Sequence, residues 1–178
     1  SDDNESALRQ VVNFCKDIAD TPIALQLAHA GRKASSARPW EGRKAILPSD
    51  GGWEVVAPSA IALQDGAPVP RELGSTEIAD MVNKFADAAR RAERIGIDAL
   101  ELHAAHGYLL HQFLSPISNR RTDNYGGSLD NRMRFVLEVF EATRAAWPAT
   151  KPLGIRLSAT DWIDGGWDMD QSITLCKL

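Results

Sequence analysis

Long apolar runs are missing from this sequence. No stretch of its 178 residues approaches the ~18 apolar positions that a membrane-spanning helix needs. Cysteine is nearly absent too. Cys15 and Cys176 have neither metal-ligand nor disulfide spacing, which suits a reducing cytoplasm. A basic excess is lacking: 20 Lys and Arg stand against 24 Asp and Glu, for a net charge of −4. That balance argues against nucleic acid and against an anionic membrane as partners. There is no glycine-rich phosphate loop and no nucleophile elbow, and Gly126-Gly127 lacks the spacing of a dinucleotide fingerprint. Internal repeats and low-complexity tracts are absent as well. The opening Ser1-Asp2-Asp3-Asn4-Glu5 is polar and acidic, the opposite of a leader peptide.

What remains is ordinary globular composition, 44% hydrophobic and 25% charged, enough for one domain over residues 1–178. Leu8, Val11, Val12, Cys15, Ile18 and Ala19 follow helical spacing and predict an amphipathic helix over 5–19. Residues 23–28 form an apolar run of strand length. Residues 34–74, rich in Pro, Gly and Ser, read as a long excursion with a short hairpin near 53–57. Ser75 or Thr76 is expected to cap a long helix that Gly96 ends. A strand over 97–102 follows, then a polar loop to residue 127. Ser128 should cap a helix with Met133, Val136, Leu137, Phe140 and Trp147 on its buried side. A third strand covers 153–158, and Asp170 should cap the last helix. Helices and strands in alternation imply parallel strands with right-handed crossovers. Strands 23–28 and 97–102 look apolar enough to be covered on both faces. The chain opens without methionine and stops inside a helical pattern, so a fragment of a larger enzyme is expected.

The chemistry gathers at the strand ends. Gln26 interrupts the first apolar run, and Arg156 sits between Ile155 and Leu157 in the third. Both need partners if buried. They could satisfy each other or nearby carboxylates; on adjacent strands beside a histidine pair, they favour a polar ligand. The second strand ends in His103, His106 and Tyr108. The two imidazoles can be metal ligands, packing residues bonded to carbonyls, or a donor pair gripping a substrate oxygen. The third reading is preferred, since no further metal ligand has obvious spacing; Glu101 is expected to point away from His103. A phenol, with an ordinary pKa of ~10, carries a proton at neutral pH and can deliver it. Simple packing is the alternative for Tyr108. His29 and His111 are assigned structural hydrogen bonds. The run from Ser115 to Ser128 reads as a loop cross-linked by arginine–aspartate pairs that delivers a helix cap.

Four segments carry a resemblance: Gln26-Leu-Ala-His-Ala-Gly-Arg-Lys33, His103-Ala-Ala-His-Gly-Tyr-Leu-Leu-His-Gln-Phe-Leu-Ser-Pro116, Asn119-Arg-Arg-Thr-Asp-Asn-Tyr-Gly-Gly-Ser128 with Asn131-Arg132, and Arg156-Leu-Ser158. In this combination and order the chain resembles the old yellow enzyme family of flavin-dependent ene-reductases, in its bacterial NADPH dehydrogenase and xenobiotic reductase branch. The resemblance implies an eight-stranded (β/α)8 TIM barrel, present here as an incomplete portion with about strands three to five. It implies FMN as cofactor and NADPH or NADH as reductant, with ping-pong reduction of activated alkenes or nitro compounds. By residue, it implies that Gln26 bonds the flavin pyrimidine edge and that Arg156 lies beside flavin N1. His103 and His106 would bind the activating oxygen of a small-molecule substrate, and Tyr108 would donate the proton. It implies no metal, and it leaves room for a homo-oligomer at full length. The alternatives are a metal-dependent barrel hydrolase using His103 and His106, and a catalytically silent fragment.

Overall fold

The computed structural model describes residues 1–42 and 44–178. Its centre is a parallel sheet of three strands: β1 (Ala24–Leu27), β4 (Ala99–Ala104) and β5 (Leu153–Leu157), in the order β1-β4-β5. Helices α1 (Asp2–Ile18), α2 (Ser75–Arg94), α4 (Leu129–Ala146) and α5 (Met169–Cys176) alternate with these strands. A short helix, α3 (Leu109–Leu114), leads out of β4. The parallel alternation expected from the sequence is present.

Strand periodicity divides the sheet into two faces. Leu27, Leu102, Ala104, Leu153, Ile155 and Leu157 point into the helix layer. There they meet Ile78, Met81 and Phe85 of α2, and Met133, Phe135, Val136 and Val139 of α4. Each of these side chains larger than alanine contributes roughly 1.5–3 kcal/mol on full burial. A second cluster joins Val12 of α1 to Ala89, Ala92, Ile95, Ile97, Leu100 and Trp147. The other face is open. Ala24, Gln26, Gly154 and Arg156 on it are exposed, so β1 and β5 alternate between exposed and half-buried positions. Coverage on both faces, expected for 23–28, is therefore not found; only the helix layer covers β1.

Several expected boundaries move. The first helix begins at Asp2, because the Ser1 hydroxyl accepts from the Asn4 amide and acidic residues fill the first turn. The second strand runs Ala99–Ala104, which puts His103 inside it rather than beyond it. Gly74, not Ser75 or Thr76, occupies the cap of α2, because the Glu77 carboxylate reaches back to the Gly74 amide at 2.9 Å. Asp168, not Asp170, caps α5 by accepting from the Gln171 amide at 2.9 Å. Ser128 caps α4 as expected.

The excursion holds no hairpin near 53–57. Instead β2 (Val56–Ala57) pairs in parallel with β3 (Arg71–Glu72), with Arg71 N donating to Val55 O at 2.9 Å. The chain between them carries Pro58, Pro68 and Pro70, so it loops out and returns in the same direction instead of reversing in a tight turn.

Candidate active site

The site is assembled on the open face of the sheet and on the turn that follows β4. Strand register sets Gln26 opposite Glu101, and His103 opposite Arg156. Period two then puts all four on the open face, including Glu101, which was expected to point away from His103. Residues 101 and 103 are two apart in one continuous strand and so share a face. The Gln26 side-chain amide donates to the Glu101 carboxylate.

His103 is 5% exposed although its face is open. Two rings cover it: His106, with centroids 5.1 Å apart, and Tyr108, edge-on at 5.0 Å. His103 Nε2 and His106 Nδ1 lie 3.4 Å apart. Burial lowers the His103 pKa, and the neighbouring His106 and Arg156 lower it further; Glu101 opposes them more weakly. The ring is thus held neutral, with one proton to place. Its Nδ1 is buried without a partner. Putting the proton on Nε2 leaves a bare lone pair inside and lets the N–H donate to His106 Nδ1. Turned from that contact onto an incoming oxygen, this N–H and one from His106 can grip a single atom.

His106 and Gly107 both adopt left-handed backbone, with φ of 57° and 68°. Their four backbone polar groups are all taken by side chains. His106 N donates to Ser158 Oγ at 2.9 Å, and His106 O accepts from Lys33 Nζ at 2.7 Å. Gly107 N donates to His111 Nδ1 at 2.9 Å, and Gly107 O accepts from Gln112 Nε2 at 2.7 Å. Tyr108 then occupies the N-cap of α3. All six residues of α3 are buried. Six residues make less than two turns, and the polar His111 and Gln112 are buried along with the apolar ones, so there is no helical period to read, which is why a polar loop was expected here.

His29, His111 and the loop before α4 find partners of the expected kind. His29 Nδ1 accepts from the Gly31 amide at 3.0 Å, and His111 is hydrogen-bonded at both nitrogens, so both have structural partners. In the loop before α4, Arg121 makes a two-pronged pair with Asp123, at 3.0 and 2.6 Å, and reaches the carbonyls of Pro58 and Leu73. Among the described residues, no three of His, Cys, Asp and Glu come together to hold a metal ion.

Sequence reasoning missed Glu101, Lys33, Ser158 and Asp161 as parts of the site's frame. Glu101 and Ser158 were within reach of the period-two rule, applied from His103 and Arg156. Lys33 and Asp161 carry no signal short of the fold itself.

The model of the NADH:flavin oxidoreductase / NADH oxidase family matches residues 1–177. The chain belongs to this family. It is the family of the old yellow enzymes, as the motifs suggested. The chain is 44% identical over 185 aligned positions to NADH:flavin oxidoreductase FG08077 of Gibberella zeae, covering 96% of this chain and 45% of that protein. It is 48% identical over 143 positions to an NADPH dehydrogenase of Clostridium acetobutylicum, covering 80% of this chain and 38% of the relative. A solved structure of morphinone reductase in complex with tetrahydroNAD superposes with a TM-score of 0.77 at 35% identity, covering 97% of this chain and 48% of that one. The chain thus spans less than half the length of these relatives, and its sheet is a portion of the family's β/α barrel. Membership in the NADH:flavin oxidoreductase family, one of oxidoreductases, implies FMN with NAD(P)H as reductant.

The residues present fit such a cofactor. Adjacent strands stand ~4.8 Å apart, and two residues rise ~6.6 Å along a strand. Gln26, His103 and Arg156 therefore share a patch on the order of 10 Å across, the scale of a fused tricyclic ring. It offers an amide that both donates and accepts, and a permanent cation.

Proposed function

We propose that this chain carries the substrate-gripping part of an FMN-dependent ene-reductase, which uses NAD(P)H to reduce activated alkenes or nitro compounds. One observation carries the reading: His103 and His106 present ring nitrogens 3.4 Å apart on the face that also holds Gln26 and Arg156. FMN, when bound, supplies the reducing equivalents taken from NAD(P)H. Gln26 would hold its pyrimidine edge, and Arg156 would stand beside N1. A fixed positive charge there favours the reduced, anionic form.

His103 and His106 bind the oxygen of an α,β-unsaturated carbonyl. As that oxygen gains negative charge, their N–H groups stabilise it; loss of one such donor typically costs on the order of 10²–10³ in rate. Tyr108, whose ring packs edge-on against His103, delivers its proton to the α-carbon. The same proposal takes residues 1–178 as one partial barrel domain. It places the protein in the cytoplasm, consistent with two free cysteines and with no described helix long and apolar enough to cross a membrane.

The product of the complete reading frame should purify yellow and bleach with NADPH. Tyr108→Phe should slow alkene reduction by about 10²-fold, the usual range for a positioned acid, and leave flavin reduction by NADPH nearly unchanged. Equal loss in both half-reactions would remove Tyr108 from the proton-donor role. A colourless product with stoichiometric metal would remove the flavin reading altogether.

A further inference from the structure

The substrate-facing turn has a support that the reaction chemistry does not explain. A left-handed conformation at a residue with a side chain costs roughly 1–2 kcal/mol, and His106 adopts one. Four side chains from three parts of the chain hold it there: Lys33 after β1, His111 and Gln112 on α3, and Ser158 after β5. Behind His111 stands Asp161. Its Oδ1 lies 2.9 Å from His111 Nε2, and its Oδ2 accepts from the Ser115 hydroxyl at 2.6 Å and from the Trp167 amide at 2.7 Å. His111 and Asp161 are nearly buried, with side chains 8% and 12% exposed.

We propose that Asp161 and His111 are positioning residues for the His106–Gly107 turn: the carboxylate fixes the proton of His111 on Nε2, which frees Nδ1 to accept the Gly107 amide and so aims His106 at the substrate oxygen beside His103. This rests on the reading of His106 as a substrate donor. The direction of each bond follows from the groups. Gly107 N–H can only donate, so His111 Nδ1 must be a lone pair and the ring proton must sit on Nε2. The Asp161 carboxylate accepts three hydrogen bonds and offers none.

An isosteric change exposes this arrangement. In Asp161→Asn the new amide must put its NH2 at one of the two oxygen positions. At Oδ2 it would face the Trp167 N–H, which cannot turn away. It therefore goes to Oδ1 and faces His111 Nε2, which must then accept. The ring proton moves to Nδ1, against the Gly107 N–H, and two donors confront each other. The turn loses a hydrogen bond while the packing volume is unchanged.

The test uses the product of the complete reading frame. Nitrogen-15 NMR of wild type should show His111 protonated at Nε2. In Asp161→Asn, exchange of the Gly107 amide should quicken about tenfold, as the loss of one buried hydrogen bond implies. Affinity of the oxidised protein, without NAD(P)H, for 4-nitrophenol, whose phenol oxygen takes both imidazole donors, should fall by about the same factor, with bound FMN per chain unchanged. If Asp161→Asn does not fold, His111→Leu, which removes the acceptor of the Gly107 amide, decides the matter by the same two readings. An Nδ1–H tautomer in wild type overturns the proposal. So does a folded variant whose Gly107 exchange and probe affinity both stay within about twofold of wild type. If 4-nitrophenol does not bind wild type but Gly107 exchange responds as stated, the positioning role stands and the substrate reading fails.

Discussion

His103 and His29 are held neutral for the same first reason. Burial disfavours the imidazolium of each; His106 and Arg156 add to this at His103, and Lys84 adds to it at His29. The consequence for stability has a definite sign. An unfolded histidine titrates near 6.5, and the folded rings titrate lower. Between those values the unfolded chain binds more protons, so stability is complete above about pH 6.5 and declines as pH falls towards the folded values. Carboxylates act in a separate window. Arg71 holds Glu77 at about 2, against an ordinary 4.5, so its contribution is lost only as pH drops below 4.5. Between about pH 7.5 and pH 5 the melting temperature should therefore fall, and His103→Gln should shrink that fall. A variant with the full wild-type pH dependence would mean that His103 is not among the rings resisting protonation.

At the scale of elements, the helix ends separate what the sequence displays from what only packing decides. Asp168 and Asp170 are both plausible caps by type and position. The structure gives the cap to Asp168, whose Oδ1 and Oδ2 take the backbone and side-chain amides of Gln171. Asp168→Ala should then cost about 1 kcal/mol, and Asp170→Ala a few tenths, read as the shift in urea midpoint. Equal costs would mean that the carboxylates act only through the helix dipole. The long amphipathic helices α2 and α4 were legible because one face of each is apolar at regular intervals. α3 was not, because its six residues make less than two turns and its polar His111 and Gln112 are buried with the rest. The β2–β3 pairing escaped for another reason. Two residues per strand carry no alternation, and their partners are fifteen positions apart, Val56 with Arg71 and Ala57 with Glu72. Nothing local sets that register.

At the scale of the molecule, Gln26, His103 and Arg156 could be read from the sequence as polar residues in or at the end of apolar strands, because a buried sheet tolerates such residues only for a partner or a ligand. Their meeting on one face comes from the parallel register, which needs all three strands in place. The same sheet leaves both β1 and β5 paired on one side only among the described residues. A strand edge is a row of unpaired N–H and C=O groups, open to pairing with another chain. The open face adds only half-hearted protection: Gln26 and Glu101 are engaged with each other, and Ala24 is exposed without charge. A protein of these 178 residues alone should therefore self-associate as concentration rises, measured by sedimentation velocity. Ala24→Lys places a charge on the β1 edge strand, the device natural sheets use to discourage pairing, and should shift the distribution towards monomer without loss of helix signal. If the 178-residue protein stays monomeric at every concentration, the two edges are protected by something other than sheet neighbours. If the lysine changes nothing in an associating protein, contact runs through β5 or the exposed apolar residues of α1, Val11 and Phe14, instead.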